Sequence, residues 1–293
     1  MNCRNGGPTR STVIFAPTME FASVSPSTLT KERVHLSVNG TDIELSALHR
    51  PGKHPPLVFL HGFGSTKEDY ADVVLHPALA DRAVLAYDAP GCGETECRDL
   101  SRISIPFLVE TALAALDHFG MDRFHLVGHS MGGLTALMLA HRVPERVLSF
   151  VDIEGNVAPE DCFLSRQIVS HHSEDADHFL DEFIDRTWHS PYFSSPLYAA
   201  SLRHKVRAGA VRGIFESMVD LSDNADLMTK FLELPCPRMF MYGEQNASLS
   251  YLEQLQSHGV ELAEIPLCGH FPMYSNAPAM WERIARFLAR VCV

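Results

Sequence analysis

The segment Gly128-His129-Ser130-Met131-Gly132-Gly133 carries the sharpest chemical signal in the chain. Ser130 is the centre of a G-x-S-x-G pattern, with an apolar run before it (residues 124–127, FHLV) and another after it (residues 134–141, LTALMLAH). A serine at such a strand-to-helix turn is held in a strained backbone conformation that raises its Oγ above the end of the sheet. The flanking glycines let the turn tighten and the helix pass close to the strand. The chemistry this favours is attack on an acyl carbon through a covalent intermediate. The helix N-terminus beneath Ser130 favours the developing oxyanion, and the backbone N–H of Met131, directly after the nucleophile, is one donor for it.

Positioning such a turn requires a sheet. Residues 34–38 and 43–48 read as an antiparallel hairpin turned by Asn39-Gly40. Residues 56–60, 83–87, 124–127, 147–151, 238–242 and 262–265 are short apolar runs of the kind buried on both faces. Helical patterns lie between or after them, at 66–80, 104–119, 130–142 and 278–291. Alternating strands and helices imply crossovers and a mostly parallel sheet. One stretch breaks the rhythm. Between the strands near 151 and 238 the chain carries Phe179, Phe183, Trp188, Tyr192, Phe193, Tyr198 and Phe215 and several helical patterns. It reads as a helical insertion over one end of the sheet, and long insertions of this kind are commonly functional covers. Residues 1–30, rich in Ser, Thr, Pro and Gly, read as a flexible extension in which Met19 is an alternative start.

With these elements placed, the chain resembles the α/β-hydrolase fold superfamily over about residues 33–293. The resemblance rests on His61-Gly62-Phe63-Gly64, on Asp88-Ala89-Pro90-Gly91-Cys92-Gly93, on the GHSMGG elbow and on Gly269-His270-Phe271-Pro272, in that order. It implies an α/β fold with a mostly parallel eight-stranded sheet flanked by helices and a helical cap inserted after the sixth strand. The core would be 31–154 and 236–293, and the cap 155–235. It also implies a second oxyanion donor on Phe63, a general base at His270, and structural roles for His61 and Asp88. The acid of the triad is where the pattern departs. The resemblance leads to an aspartate in G-x-x-D after the strand at 238–242, but the chain reads Gly243-Glu244-Gln245-Asn246. Some members, haloalkane dehalogenases among them, carry the acid after the earlier strand, and that alignment implies Glu154. Asp152, Glu244 and Asn246 stay open as alternatives. The same dehalogenases, and epoxide hydrolases, have aspartate at the nucleophile position, so Ser130 points to acyl chemistry instead.

The expected reaction is hydrolysis of a carboxylic ester, lactone or thioester of a small apolar substrate through an acyl-enzyme. Trp188, Tyr192, Phe193 and Phe215 are the candidates for the pocket wall. Carbon–carbon bond hydrolysis, a proton-relay lyase and a non-catalytic ligand receptor are the alternatives, the last supported only by Asn246. The net charge of −12 opposes a nucleic-acid partner, and no apolar run is long enough to span a bilayer. Phosphate-binding fingerprints are absent, so no cofactor is expected. The seven cysteines lack metal or disulfide spacing and the sixteen histidines are scattered, so no metal site is expected either. Reduced thiols and the lack of a signal-peptide core fit a cytoplasmic enzyme. A homodimer is one assembly the sequence allows.

Overall fold

The computed structural model describes residues 28–170 and 175–291; the expectations for residues 1–27 lie outside them. Nine strands form one sheet: β1 (Thr30–Val38), β2 (Thr41–Arg50), β3 (His54–Leu60), β4 (Arg82–Tyr87), β5 (Glu96–Cys97), β6 (Phe124–His129), β7 (Val147–Ile153), β8 (Arg238–Gly243) and β9 (Glu261–Ile265). Their order is β1-β2-β4-β3-β6-β7-β8-β9, with the two-residue β5 pairing with β2. The first pairings, β1–β2 and β2–β4, are antiparallel, and the rest of the path is parallel. Both residues of the Asn39-Gly40 turn have positive φ, as a two-residue hairpin turn requires. The expected eight strands are therefore present, with β5 added and β1 starting at Thr30.

Helices α1 (Ile105–His118) and α2 (Met131–Arg142) follow β5 and β6. Between β7 and β8 lie α3 (Phe163–Val169), α4 (Ala176–Trp188), α5 (Ser195–Lys205), α6 (Ala208–Asn224) and α7 (Leu227–Leu232). The chain closes with α8 (Leu252–Ser257), α9 (Pro272–Ser275) and α10 (Ala277–Val291). Helix α10 buries Met280, Trp281, Ile284, Ala285, Phe287 and Leu288 on one stripe. Trp281 sets its edge on Phe59 of β3, and Tyr70 stacks on the same ring. Among the described residues no helix is long and apolar enough to cross a membrane.

The helix expected over 66–80 is a correction. Residues Lys67–Leu75 and Pro77–Leu79 form 3-10 turns. The buried positions Lys67, Tyr70 and Val73 recur every third residue, the period of a 3-10 rather than an α-helix, and Pro77 stops the run. Lys67 is the reason for the inward turn. Its ammonium lies 2.7 Å from Asp88 Oδ2, with both side chains fully buried. Burial alone would lower the Lys67 pKa, but its hydrogen bonds to Asp88 and Glu68 outweigh that and hold it raised. Asp88 also accepts from the N–H groups of Lys67 and Glu94, each at 2.8 Å. It knots two loops together and takes no place in the cavity described next.

Candidate active site

Parallel strands deliver the loops at their carboxyl ends to one side of the sheet. Phe63 follows β3, Ser130 follows β6, Glu154 follows β7, Asn246 follows β8 and His270 follows β9. Ser130 has φ +52 and ψ −119, a conformation costly for any residue with a Cβ. Its N–H donates to Ile153 O at 3.0 Å, which ties the turn to β7. A Cβ at Gly132 would strike the carbonyl oxygen of Leu60, so the first turn of α2 can lie against β3 only with glycine there. Met131 opens α2, and its N–H therefore has no partner four residues back within that helix.

Glu154 also has positive φ, +47. Its Oε2 lies 2.7 Å from His270 Nδ1. Its Oε1 accepts from the Gly243 N–H at 2.7 Å. The Asn246 amide donates to both oxygens, at 2.9 and 2.8 Å. The glutamate side chain is 7% exposed and the histidine 37%, so the pair is shielded on the acid's side and open on the imidazole's. The imidazole of His129 is fully buried, and burial holds its pKa well below the usual histidine value. Its Nε2–H donates to the His270 carbonyl at 2.8 Å, which fixes the loop that carries His270.

Among the described residues neither Asp152 nor Glu244 hydrogen-bonds to His270. Asp152 is fully buried, accepts from the Gly155 N–H at 2.8 Å, and has its pKa pushed well up by burial. Glu244 accepts from the Leu267 N–H at 2.8 Å. Asn246 serves Glu154. His61 is engaged within its own loops: Nδ1 meets Gly62 O at 2.7 Å, and Nε2 accepts from the Ala89 N–H at 2.8 Å.

Ser130, Glu154 and His270 line one cavity of about 410 Å³ together with Phe63 and Asn246. Its apolar wall is Phe183, Tyr198, Phe215, Met218 and Phe271; Asp161, Ser165, Gln167, Arg186 and Tyr251 add polar groups. Phe63 is clasped by the insertion: Phe183 and Phe215 meet its ring edge-on, and the Tyr198 hydroxyl donates to its carbonyl at 2.6 Å. Tyr198 also stacks on Phe271, beside His270, at 4.3 Å. Of the four aromatic residues expected in the wall, Tyr192 and Phe215 line it. Trp188 and Phe193 do not: they are 50% and 47% exposed and lie outside it. Trp188 is the last residue of α4, and the Phe193 N–H is held by the Gln245 side-chain oxygen at 2.7 Å. The residues missed from the sequence, Tyr198 and Phe271 above all, look like ordinary core aromatics in a linear reading. For Phe271 the adjoining His270 was the available signal. A wider depression along α4, between His178 and Pro191, contains none of Ser130, Glu154 and His270. Among the described residues no cluster of His, Cys, Asp and Glu could hold a metal ion.

A sequence model of the alpha/beta hydrolase family matches residues 57–285. Over 263 residues the chain is 27% identical to a pimeloyl-(acyl-carrier protein) methyl ester esterase from Aeromonas salmonicida, covering 82% of this chain and 98% of that one. Over 95 residues it is 46% identical to the dihydrolipoyllysine-residue acetyltransferase component of an acetoin cleaving system from Pseudomonas putida, covering 32% of this chain and only 25% of that relative's length. In structure it is similar to a thermophilic esterase from Thermogutta terrifontis, with a TM-score of 0.67 at 18% identity over 89% of this chain and all of the other, a likeness of fold alone.

Proposed function

The chain belongs to the alpha/beta hydrolase family, and from that premise we propose that it is a serine hydrolase that cleaves a carboxylic ester, lactone or thioester of a small apolar acyl group. Ser130 is the nucleophile, His270 the general base and Glu154 the acid. The observation that carries this reading is the 2.7 Å contact between Glu154 and His270 Nδ1, made on the wall of the same cavity that Ser130 lines.

His270 Nε2 takes the Ser130 proton as Oγ attacks the acyl carbon. The tetrahedral oxyanion accepts from the N–H groups of Phe63 and Met131. Collapse expels the alcohol or thiol, which leaves with the proton held by His270. Water then attacks the acyl-enzyme, giving its proton to His270, and the second collapse frees the acid and restores Ser130. Glu154 holds the imidazole in the Nδ1–H tautomer and stabilises the imidazolium in both halves.

Residues 155–235 act as a cap whose aromatic side chains keep water from the acyl chain. The named activity of the Aeromonas salmonicida relative, a methyl ester esterase, supports an ester substrate. Against the receptor alternative, whose one support was Asn246, stands the donation of Asn246 to Glu154. The test is turnover of p-nitrophenyl esters of two to eight carbons, beside lactones, thioesters and diketones. Ester hydrolysis that disappears in Ser130→Ala is expected; turnover of diketones alone would replace the proposal with carbon–carbon bond hydrolysis.

A further inference from the structure

We propose that Asn246 is a positioning residue that steers Glu154 onto His270, and that it must be a neutral donor because the charge of the site has moved to Glu154; this rests on the assignment of Glu154 as the acid. Glu154 enters its loop at φ +47, so its side chain is aimed by partners more than by a preferred backbone conformation. The Gly243 N–H grips one oxygen only, Oε1. A carboxylate held by one oxygen can swing about that bond. Asn246 Nδ2 bridges both oxygens and stops the swing with Oε2 against Nδ1.

The same contact excludes an acid at position 246. An aspartate there would set a second carboxylate at hydrogen-bond distance from the first, and two such groups share a proton or repel. The other titratable groups facing Glu154 are Asp152 on β7, Tyr251 before α8 and Cys268 before His270, with Asp161 on the cavity wall. Burial pushes Asp152, Tyr251 and Cys268 toward their neutral forms, and Asp161, raised only to about 6, has its carboxylate engaged by the N–H groups of Val157 and Ala158. Asn246 and Glu154 are thus a matched pair, donor and acid. The amide that departs from the family's pattern is the counterpart of an acid carried on the neighbouring strand.

The test is a cycle read as kcat and KM on a p-nitrophenyl ester: wild type, Asn246→Asp, Glu154→Gln and the double variant, with Asn246→Ala in both backgrounds. Thermal melting checks that each is folded. Asn246→Asp should lower kcat about tenfold in the wild-type background with KM within about twofold. In the Glu154→Gln background the same substitution should raise kcat about tenfold, because it returns a carboxylate to within two hydrogen bonds of Nδ1. Asn246→Ala should lower kcat beside Glu154 and change nothing beside Gln. A merely structural asparagine would give losses of the same size in both backgrounds, and that result overturns the proposal, as does an unchanged kcat in Asn246→Asp. Full activity in Glu154→Gln alone would instead strike the acid assignment itself, and the role of Asn246 with it.

Discussion

The sheet core and the helical insertion meet at one cavity but are built differently. In the core, several buried charged groups are held by backbone or by fixed partners: Lys67 on Asp88, Arg50 on the carbonyls of Leu79 and Arg82, Glu154 on the Gly243 N–H. In the insertion the charged pairs, such as Arg166–Asp223 and Arg203–Asp177, are part-exposed, and the rings of Phe183, Tyr192, Tyr198 and Phe215 face the cavity among polar side chains. Under the proposed function the division follows from two tasks. Proton transfer needs angles and distances held to tenths of an ångström, which short hydrogen bonds to a sheet provide. Enclosing an apolar chain needs area and shape, which ring packing provides without fixed registers. Tyr198 ties the two together at the cavity, since its hydroxyl donates to the Phe63 carbonyl.

The largest contrast should appear in stability. Lys67→Met strands a buried carboxylate at Asp88 and should cost about 3–5 kcal/mol in urea unfolding, whereas Arg166→Met in the insertion should cost under about 1 kcal/mol. Equal losses would erase the distinction. Next comes Asp161, at the foot of the insertion, where burial pushes the carboxyl up to about 6 from 3.8. A carboxyl raised on folding contributes stability below its unfolded value and loses it as the pH climbs through the folded one. That contribution, on the order of 3 kcal/mol, should vanish between pH 4 and 7, and Asp161→Asn should flatten the decline. Tyr198→Phe keeps the stacking on Phe271 and removes only the hydroxyl. It should lower kcat about tenfold at little change in KM, a loss of roughly 1 kcal/mol of transition-state support. A change confined to KM would make Tyr198 a wall residue and nothing more. Smallest is Trp188→Ala: its ring is half in solvent and outside the cavity, so stability and KM should stay within about 0.5 kcal/mol of wild type.

Much of this was legible in the sequence where chemistry forces a local pattern. A strained serine needs glycines and a strand-helix junction, so the elbow around Ser130 is written in consecutive residues. The parallel strands show as unbroken apolar runs because both their faces are buried. Asp152 and Glu154, two residues apart, could not be ranked by pattern alone. Their difference lies in a positive φ and in donors from β8, a strand about ninety residues further on. The period-three burial of Lys67, Tyr70 and Val73 resembled a helix because the two periods diverge by little over so short a stretch. Trp188 and Phe193 were expected in the wall because aromatic content says that rings are present, not which side of a helix or turn they leave from.

The central claim is that Ser130 is activated by a His270–Glu154 pair. Intact-mass labelling by a fluorophosphonate, timed in wild type and Glu154→Gln, tests it most directly. A single adduct on Ser130 that forms rapidly in the wild type and at least about a hundredfold more slowly in Glu154→Gln is the predicted result. Equal labelling rates in the two proteins, or no adduct on the folded wild type, would contradict it.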